Sequence, residues 1–214
     1  VKDQTRIKNR IKAYLAYFGI QIGEQFLDKR SHWSRGFINW LKTVSFRTEQ
    51  GKQALESLIR QLELIRGEIL LVTGQIRKMS KKERFGKNYK LLIGIPGIGL
   101  ITAMTILTEL VDMARFKYLD NLLSFIGLVP TEHSSGDSRR IGHMTKRSNH
   151  YLRSLIIEAS WVVVRTDPAL TLYFNHCSGQ IGKQRAIIKV ARKLVSRVRH
   201  VLKNQVEYVY GIAA

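Results

Sequence analysis

Cysteine, proline and long apolar runs are scarce in this sequence. The single cysteine, Cys177, excludes an internal disulfide and a cysteine-rich zinc site, and we expect it to be a small buried residue. No apolar run reaches membrane-spanning length and no signal peptide opens the chain, so we expect no membrane partner and a cytoplasmic location. The only prolines lie where helices are expected to begin or end, at Pro96, Pro130 and Pro168.

Acidic side chains are scarce as well. The 214 residues include 16 Asp and Glu against 36 Lys and Arg, for a formal net charge of +20. The excess is +8 over residues 1–80, +1 over 81–138 and +11 over 139–214. Clustered positive charge favours a polyanionic partner, of which nucleic acid is the commonest. The composition is equally compatible with a basic protein that has no polyanionic partner.

Helical periodicity is abundant, and it predicts an all-α fold. We expect a helical hairpin or coiled-coil arm over 1–80, a polar linker over 81–90 and a compact helical domain over 91–205. The last ten residues are expected to be loosely attached. The apolar-periodic segments of the second half cover 88–94, 100–111, 118–126, 146–166, 168–176 and 182–203.

A heptad pattern marks the second part of the arm and predicts one long helix from Thr48 to Ser80. The pattern supports two interpretations. It is the seam of a coiled coil that joins copies of the chain into a homo-oligomer, or it packs against the first helix of the same chain. The seam residues are Leu55, Leu58, Leu62, Ile65, Ile69, Val72, Ile76 and Met79.

The segment "LLIGIPGIGLITAMTILTEL" (91–110) is typical of a helix-hairpin-helix. Two apolar helices flank a sharp turn that contains Gly97 and Gly99. Glycines let backbone amides approach a phosphate closely, and the following helix N-terminus adds a positive dipole end. The alternative is a tight turn between helices with no ligand.

A polar loop over 127–145 holds a candidate nucleophile, Ser135, directly before a glycine and next to Ser134. A serine that attacks a phosphodiester needs cations on the phosphate oxygens and a group that takes its proton. His133 and His143 are the nearby candidate bases. The alternative is a serine with no role beyond the loop. The cations that follow are Arg139, Arg140, Lys146, Arg147 and Arg153.

The motifs "IPGIG", "GLVP", "SSG" and "TKRSNHYLR" follow one another between Leu91 and Arg153. Their order and spacing strongly resemble the C-terminal domain of transposases of the insertion-sequence 110 family, including its 1111 branch and the related Piv invertases. The resemblance implies that Ser135 is a serine nucleophile, with Asn149 and Arg153 in the motif that follows it. It also implies a DNA partner, a structured guide RNA and a nucleoid-associated location.

Two features depart from that family. Ser148 stands where the family usually has glycine before Asn149. The family's N-terminal RuvC-like domain, which carries four acidic residues and binds Mg²⁺, is also not recognisable here, since the chain opens in helical rhythm. The expectation is therefore a partial transposase with no metal or other cofactor of its own.

Two functions of different kinds remain. The first is DNA transposition, in which this chain supplies the serine for strand cleavage and exchange. The second is a non-enzymatic nucleic-acid-binding fragment, inactive without the acidic domain.

The last predicted helix, within 182–203, carries cations around an apolar face and has no acidic residue between Lys183 and Lys203. No carboxylate on the same helix offsets their repulsion, so we expect a phosphate-contacting face. The alternative is a solvated face that has no ligand. The residues assigned to this face are Lys189, Arg192, Lys193 and Arg197.

Overall fold

A computed structural model describes residues 1–132, 141–145 and 147–211 of the chain. The described part of the chain is 74% helical, which confirms the predicted all-α fold. Short 3₁₀ turns lie at Glu24–Phe26, Lys29–Ser31 and Met113–Arg115. In chain order the elements are α1 (Lys2–Tyr17), α2 (Arg35–Thr43), α3 (Glu49–Met79), α4 (Glu83–Ile93), α5 (Leu100–Leu110), α6 (Leu119–Ile126), β1 (Pro130–Glu132), β2 (Ile141–Met144), α7 (His150–Thr166), α8 (Pro168–Ile181) and α9 (Lys183–Asn204).

The chain divides into two compact units, residues 1–75 and 76–214, called the first and second unit below. The first unit has its own apolar core because α1, α2 and the first half of α3 each bury one stripe of side chains. The Tyr14 hydroxyl donates a hydrogen bond to the Gly51 carbonyl (2.9 Å) and fixes α1 against α3. The fully buried members of this core include Ile11, Leu15, Phe37, Leu41, Leu55, Ile59 and Leu62.

The heptad helix is α3, whose bounds lie within one residue of the predicted ones. Leu55, Leu58 and Leu62 are buried in the core of the first unit, together with the apolar stripe of α1. Beyond them Val72 of the seam is exposed (45%), whereas Ile65, Ile69, Ile76 and Met79 are half-buried, and Leu70 next to the seam is 74% exposed. The first half of the seam therefore packs within the chain, as the second interpretation predicts.

The second unit is built around α9, which packs against α4, α6, α7 and α8. The predicted apolar face of this helix is buried, and its residues are Ala186, Ile187, Val190, Leu194, Val198, Val201 and Leu202. They meet buried side chains from α5, α6 and α7 in one continuous core. No helix in the described parts of the chain is long and apolar enough to cross a membrane.

Side-chain caps set the starts of three helices. Ser34 accepts a hydrogen bond from the Phe37 amide at the start of α2 (3.2 Å). Asn149 begins α7, and Asp167 begins α8 ahead of Pro168. Such caps satisfy amides that have no partner inside the helix.

The only sheet among the described residues is the antiparallel pair of β1 and β2, which pairs Pro130 with Met144 and Glu132 with Ile141. The sequence predicts only a loop over 127–145. The difference arises because three- and four-residue strands are too short to show a period of two.

Two further segments differ from expectation. Helix α4 occupies most of the range predicted as a linker, 81–90, and buries Leu92. The C-terminal residues are attached as far as they are described: the Gln205 side chain donates to Asn88 Oδ1 (3.0 Å) and the Tyr208 hydroxyl donates to Asp167 Oδ2 (2.5 Å). These polar contacts with distant residues were invisible in the local pattern.

Candidate nucleic-acid interface

The hairpin of β1 and β2 carries residues 133–140 between its strands. Ser135 and Arg139, Arg140 and Lys146 lie outside the described residues, as do Ser134 and His133, so their roles stay predictions. The other candidate base, His143, belongs to β2. What the structure describes is the base of the hairpin and its attachment to α6 and α7.

Arg153 on α7 fastens both ends of that hairpin. One guanidinium nitrogen, Nη1, donates to the carbonyls of Gly127 (3.2 Å) and Thr145 (3.1 Å). Gly127 ends α6, and Thr145 follows β2. Arg153 therefore has a structural role, because it closes the base of the loop, and its phosphate contact stays a prediction.

Gly127 is required where it stands. Its φ of +84° belongs to the left-handed region, and a Cβ built on it would lie 2.3 Å from the Ser148 Cβ and 2.4 Å from its Oγ. Ser148, the residue that departs from the family pattern, thus packs directly on this glycine. Its buried hydroxyl has no hydrogen-bond partner among the described residues.

Asn149 joins three elements at the start of α7. Its side-chain oxygen accepts from the Leu152 amide (2.9 Å), and its Nδ2 donates to Glu109 Oε2 on α5 (2.6 Å). Its own amide donates to the Phe125 carbonyl of α6 (3.1 Å). These three bonds give Asn149 a positioning role, and its contact with nucleic acid stays a prediction. Arg147, by contrast, is exposed.

His150 is a residue of this site that the sequence reasoning missed. Its Nδ1 lies 2.6 Å from Arg153 Nη2. A guanidinium can only donate, so in this contact Nδ1 accepts and the ring proton lies on Nε2. The exposed edge of this histidine therefore offers a hydrogen-bond donor. A donor there can orient an anion but cannot take a proton from a nucleophile.

The two glycines of the α4–α5 turn have different roles. Gly97 has a φ of +78°, and a Cβ there would lie 2.4 Å from the Ala159 carbonyl of α7. Packing alone thus explains Gly97. Gly99, which precedes α5, is exposed with an ordinary φ, and nothing lies within 4 Å of its missing Cβ. The start of α5 is accessible there, as the predicted phosphate contact requires.

Three of the four cations predicted on α9 lie around one cavity of ≈ 280 Å³, which α6 and α8 complete. Lys189 is exposed, and Arg192 and Lys193 are half-buried. The Lys193 ammonium lies 5.8 Å from the centre of the Tyr173 ring. The cavity residues are Leu119, Asp120, Leu123, Tyr173, Lys189, Arg192, Lys193 and Ser196. A polyanion could reach this group of cations from solvent.

Arg197, the fourth predicted phosphate contact, does not belong to that surface. It is only 8% exposed, and its Nη1 lies 2.8 Å from Asp167 Oδ2. The same nitrogen donates to the Tyr208 hydroxyl. The prediction is corrected for a physical reason: Arg197 neutralises a buried carboxylate and has no access to solvent phosphate.

The environment of Asp167 stabilises its charged form. Burial alone would raise the carboxyl pKa, but hydrogen bonds from Tyr208 and the Leu170 amide, with the Arg197 charge, lower the pKa below its usual value. Burial and the hydrogen bond to Asp167 raise the pKa of Tyr208 to about 12. We call Asp167, Arg197 and Tyr208 the Asp167 triad.

The described residues contain no group of three or more His, Cys, Asp or Glu that could hold a metal ion. The family resemblance assigns Mg²⁺ to a preceding acidic domain, and no residue of this chain is proposed to bind it. No step proposed below passes through it.

Part of the second unit is similar to a known protein family. Residues 89–175 match the family model described as the transposase IS116/IS110/IS902 family. The match covers the α4–α5 turn, the hairpin and α7, and ends within α8. This part of the chain is therefore similar to the domain that the transposase IS116/IS110/IS902 family shares.

The curated relatives are transposases and insertion-element proteins. The transposase for insertion sequence element IS1111A of Coxiella burnetii is 27% identical over 216 residues, 99% of this chain and 57% of that protein. A probable family 20 transposase of Pseudomonas aeruginosa is 31% identical over 113 residues, 53% of this chain and 30% of that protein. An uncharacterised insertion element IS110 protein of Streptomyces coelicolor is 29% identical over 119 residues, 55% of this chain and 29% of that protein. The chain thus spans between 29% and 57% of the length of these relatives.

Proposed function

We propose that this chain is the serine-bearing part of a DNA transposase, with Ser135 as the nucleophile. The observation that carries the proposal is the match of residues 89–175 to the transposase family, supported by the transposase relatives. The order of the motifs between Leu91 and Arg153 supports the choice of Ser135 over Ser134.

In the proposed reaction the Ser135 Oγ attacks the phosphorus of a scissile phosphodiester. A P–Oγ bond forms and the bond to one deoxyribose oxygen breaks, so that one DNA end is held as a phosphoserine ester. The serine proton passes to a base and then to the departing oxygen. Attack of a second DNA hydroxyl on the ester reverses these steps, and the phosphodiester energy is conserved for rejoining.

The anchored hairpin supports this role. A nucleophile is effective when the backbone on both sides of it is fixed. Arg153 holds the two ends of the hairpin that carries 133–140, and Asn149 ties the following helix to α5 and α6. We assign phosphate neutralisation to Arg139, Arg140, Lys146 and Arg147, and a positioning role to Arg153 and Asn149.

We propose the α9 cavity as a backbone-binding surface for DNA, which reads no bases. Lys189, Arg192 and Lys193 supply three cations, and the exposed start of α5 at Gly99 supplies amides elsewhere on the same unit. Replacing the three cations by Gln is expected to flatten the dependence of binding on salt by up to about 2.7 on a log–log plot, since each phosphate neutralised contributes about 0.9. If the triple variant has the same salt slope as the unaltered chain, these cations do not contact phosphate and the face is only solvated.

The decisive experiment on Ser135 is capture of a covalent adduct. A transposase that contains this chain with an acidic RuvC-like domain is incubated with a nicked DNA substrate and denatured. We expect a protein–DNA band that Ser135→Ala abolishes and Ser134→Ala, the matched control, retains. If strand exchange persists in Ser135→Ala, Ser135 is not the nucleophile.

The competing function is nucleic-acid binding without catalysis. It is favoured by an observation on the described residues: cations are grouped on the surface of the second unit, whereas no acidic metal-binding group is present. Salt-sensitive DNA binding with no adduct, under conditions in which a related transposase gives one, would support this alternative.

Two further partners belong to the proposal. A structured guide RNA follows from the family resemblance, and competition between labelled guide RNA and DNA would test it. A homo-oligomer through the 55–79 helix is supported by the exposed apolar side chains beyond Leu62, among them Leu70 and Val72. With nucleic acid as the partner, we expect a nucleoid-associated location.

A further inference from the structure

A group of cations in the first unit lies outside the range that matches the transposase family. Lys8 and Lys12 are one turn apart on α1, and their ammonium nitrogens lie 5.7 and 5.9 Å from the centre of the Trp33 ring. Arg66 on α3 donates a hydrogen bond to the Trp33 carbonyl. We call these four residues the Trp33 cluster.

The positive charge of the Trp33 cluster is not balanced by acidic side chains. None of its three cations forms an ion pair with a carboxylate of the described residues, whereas the ion pairs of the first unit lie elsewhere: Arg6–Asp3, Arg30–Asp28 and Lys42–Glu63. Partial burial, together with the charges of Arg66 and Lys12, lowers the pKa of Lys8. The ring face offsets part of this repulsion, by roughly 0.5–1 kcal/mol for an exposed cation.

The tryptophan holds these cations on a fixed support. Trp33 has a φ of +70°, which is uncommon for a bulky residue. Its ring packs edge-on against Phe37, with ring centres 5.2 Å apart, and Phe37 is fully buried. Arg66 holds the backbone of the same residue. The cations therefore converge on a rigid platform rather than on a flexible surface.

We propose that the Trp33 cluster is a binding site for the phosphates of a nucleic-acid backbone. The inference rests on the proposed nucleic-acid function and extends it to the first unit. Ammonium and guanidinium groups donate to phosphate oxygens, and the added negative charge relieves the repulsion among Lys8, Lys12 and Arg66. Because backbone phosphates carry no base identity, the site would position nucleic acid without reading its sequence.

The test compares two double variants of the whole chain. Lys8→Gln with Lys12→Gln removes two cations of the cluster. Lys2→Gln with Arg10→Gln removes the same charge from exposed positions elsewhere on α1. We measure the anisotropy of a labelled DNA duplex over a range of salt. The cluster variant is expected to lower the salt slope by about 1.8 and to weaken binding about 30-fold at 0.15 M salt, roughly fivefold per phosphate.

Arg substitutions at Lys8 and Lys12 keep the charge and are expected to retain most of the binding. Circular dichroism checks that each variant keeps its helices. If the cluster variant binds like the Lys2 and Arg10 control, the inference is wrong. If that happens while the α9 variants still lose salt dependence, the proposed function stands and only the site in the first unit fails. If the unaltered chain shows no salt-dependent binding, the proposed function itself fails.

A second measurement reports on the site directly. Lysines are dimethylated with carbon-13 reagent, and the Lys8 signal is identified by its loss in Lys8→Arg. DNA is expected to raise the pKa of Lys8, because a phosphate favours the charged form against the opposing effect of Arg66. An unchanged Lys8 titration under saturating DNA would overturn the proposal. So would a shift produced by polyglutamate and not by DNA, since that result would indicate an acidic protein partner.

Discussion

The substitution Arg197→Gln tests whether Arg197 stabilises the fold, in contrast to the solvent-facing cations of α9. In the Asp167 triad the Arg197 side chain is 9% exposed and the Asp167 side chain 0%. Removal of one member of a buried ion pair typically costs about 3–5 kcal/mol, because the other charge stays buried. Here Asp167 retains hydrogen bonds from the Tyr208 hydroxyl (2.5 Å) and the Leu170 amide (3.1 Å). We therefore expect a loss of about 2–4 kcal/mol in the free energy of unfolding of the second unit.

The assay must report on the second unit alone. Of the three tryptophans, Trp33 and Trp40 belong to the first unit and Trp161 to the second. Fluorotryptophan labelling gives one fluorine signal for each, and the Trp161 signal followed in urea gives the stability of its unit. Lys189→Gln on the same helix is the matched control and should change stability by less than about 0.5 kcal/mol.

The salt dependence of DNA binding completes the prediction. Arg197→Gln should leave the slope unchanged in the fraction that is folded, whereas Lys189→Gln should lower it by about 0.9. The reasoning is refuted if Arg197→Gln leaves the Trp161 transition in place and lowers the slope. That result would mean that the guanidinium leaves Asp167 and contacts phosphate.

Three other substitutions or conditions give distinct expectations. The raised pKa of Tyr208, about 12, means that its protonated hydroxyl stabilises the folded second unit. This contribution to the free energy of unfolding should be complete below about pH 10 and be lost as the pH rises towards 12. In urea titrations at alkaline pH, Tyr208→Phe should abolish that loss. Gly127→Ala should destabilise by more than about 1 kcal/mol, since φ is positive and a Cβ would lie 2.3 Å from Ser148; an unchanged melting temperature would contradict the packing. Ile69→Gln with Val72→Gln should reduce dimers in sedimentation, and an unaltered chain that is already monomeric would refute the oligomer.

The helices were predictable from the sequence because each depends on neighbours within four residues. The start and end of α3 follow from a heptad of apolar side chains, and the buried face of α9 from its own periodicity. Helix α4 was predicted only in its second half, within 88–94. Its first turns were assigned to a linker because 81–90 is rich in charged side chains, although Phe85, Tyr89 and Leu92 have helical spacing.

The site was less predictable because its residues depend on partners far along the chain. Arg192 and Arg197 lie on one helix and have the same chemistry, yet only Arg197 meets a buried acid, 30 residues earlier. Asn149 suggested a ligand contact, but its partner Glu109 is 40 residues away. The Trp33 cluster was not found, since α1, Trp33 and Arg66 come together only in the folded unit. Ser135 and its neighbouring cations still rest on the motif order alone.

Arg153 also has a consequence for how chains similar to this one can vary. One side chain binds the carbonyls at both feet of the hairpin, so the separation of those feet is set by α7 and not by the number of residues between them. Insertions or deletions beyond the strands would then leave the junction with α6 and α7 intact. Similar chains can then differ in the length and sequence of this segment while α6 and α7 keep the same junction.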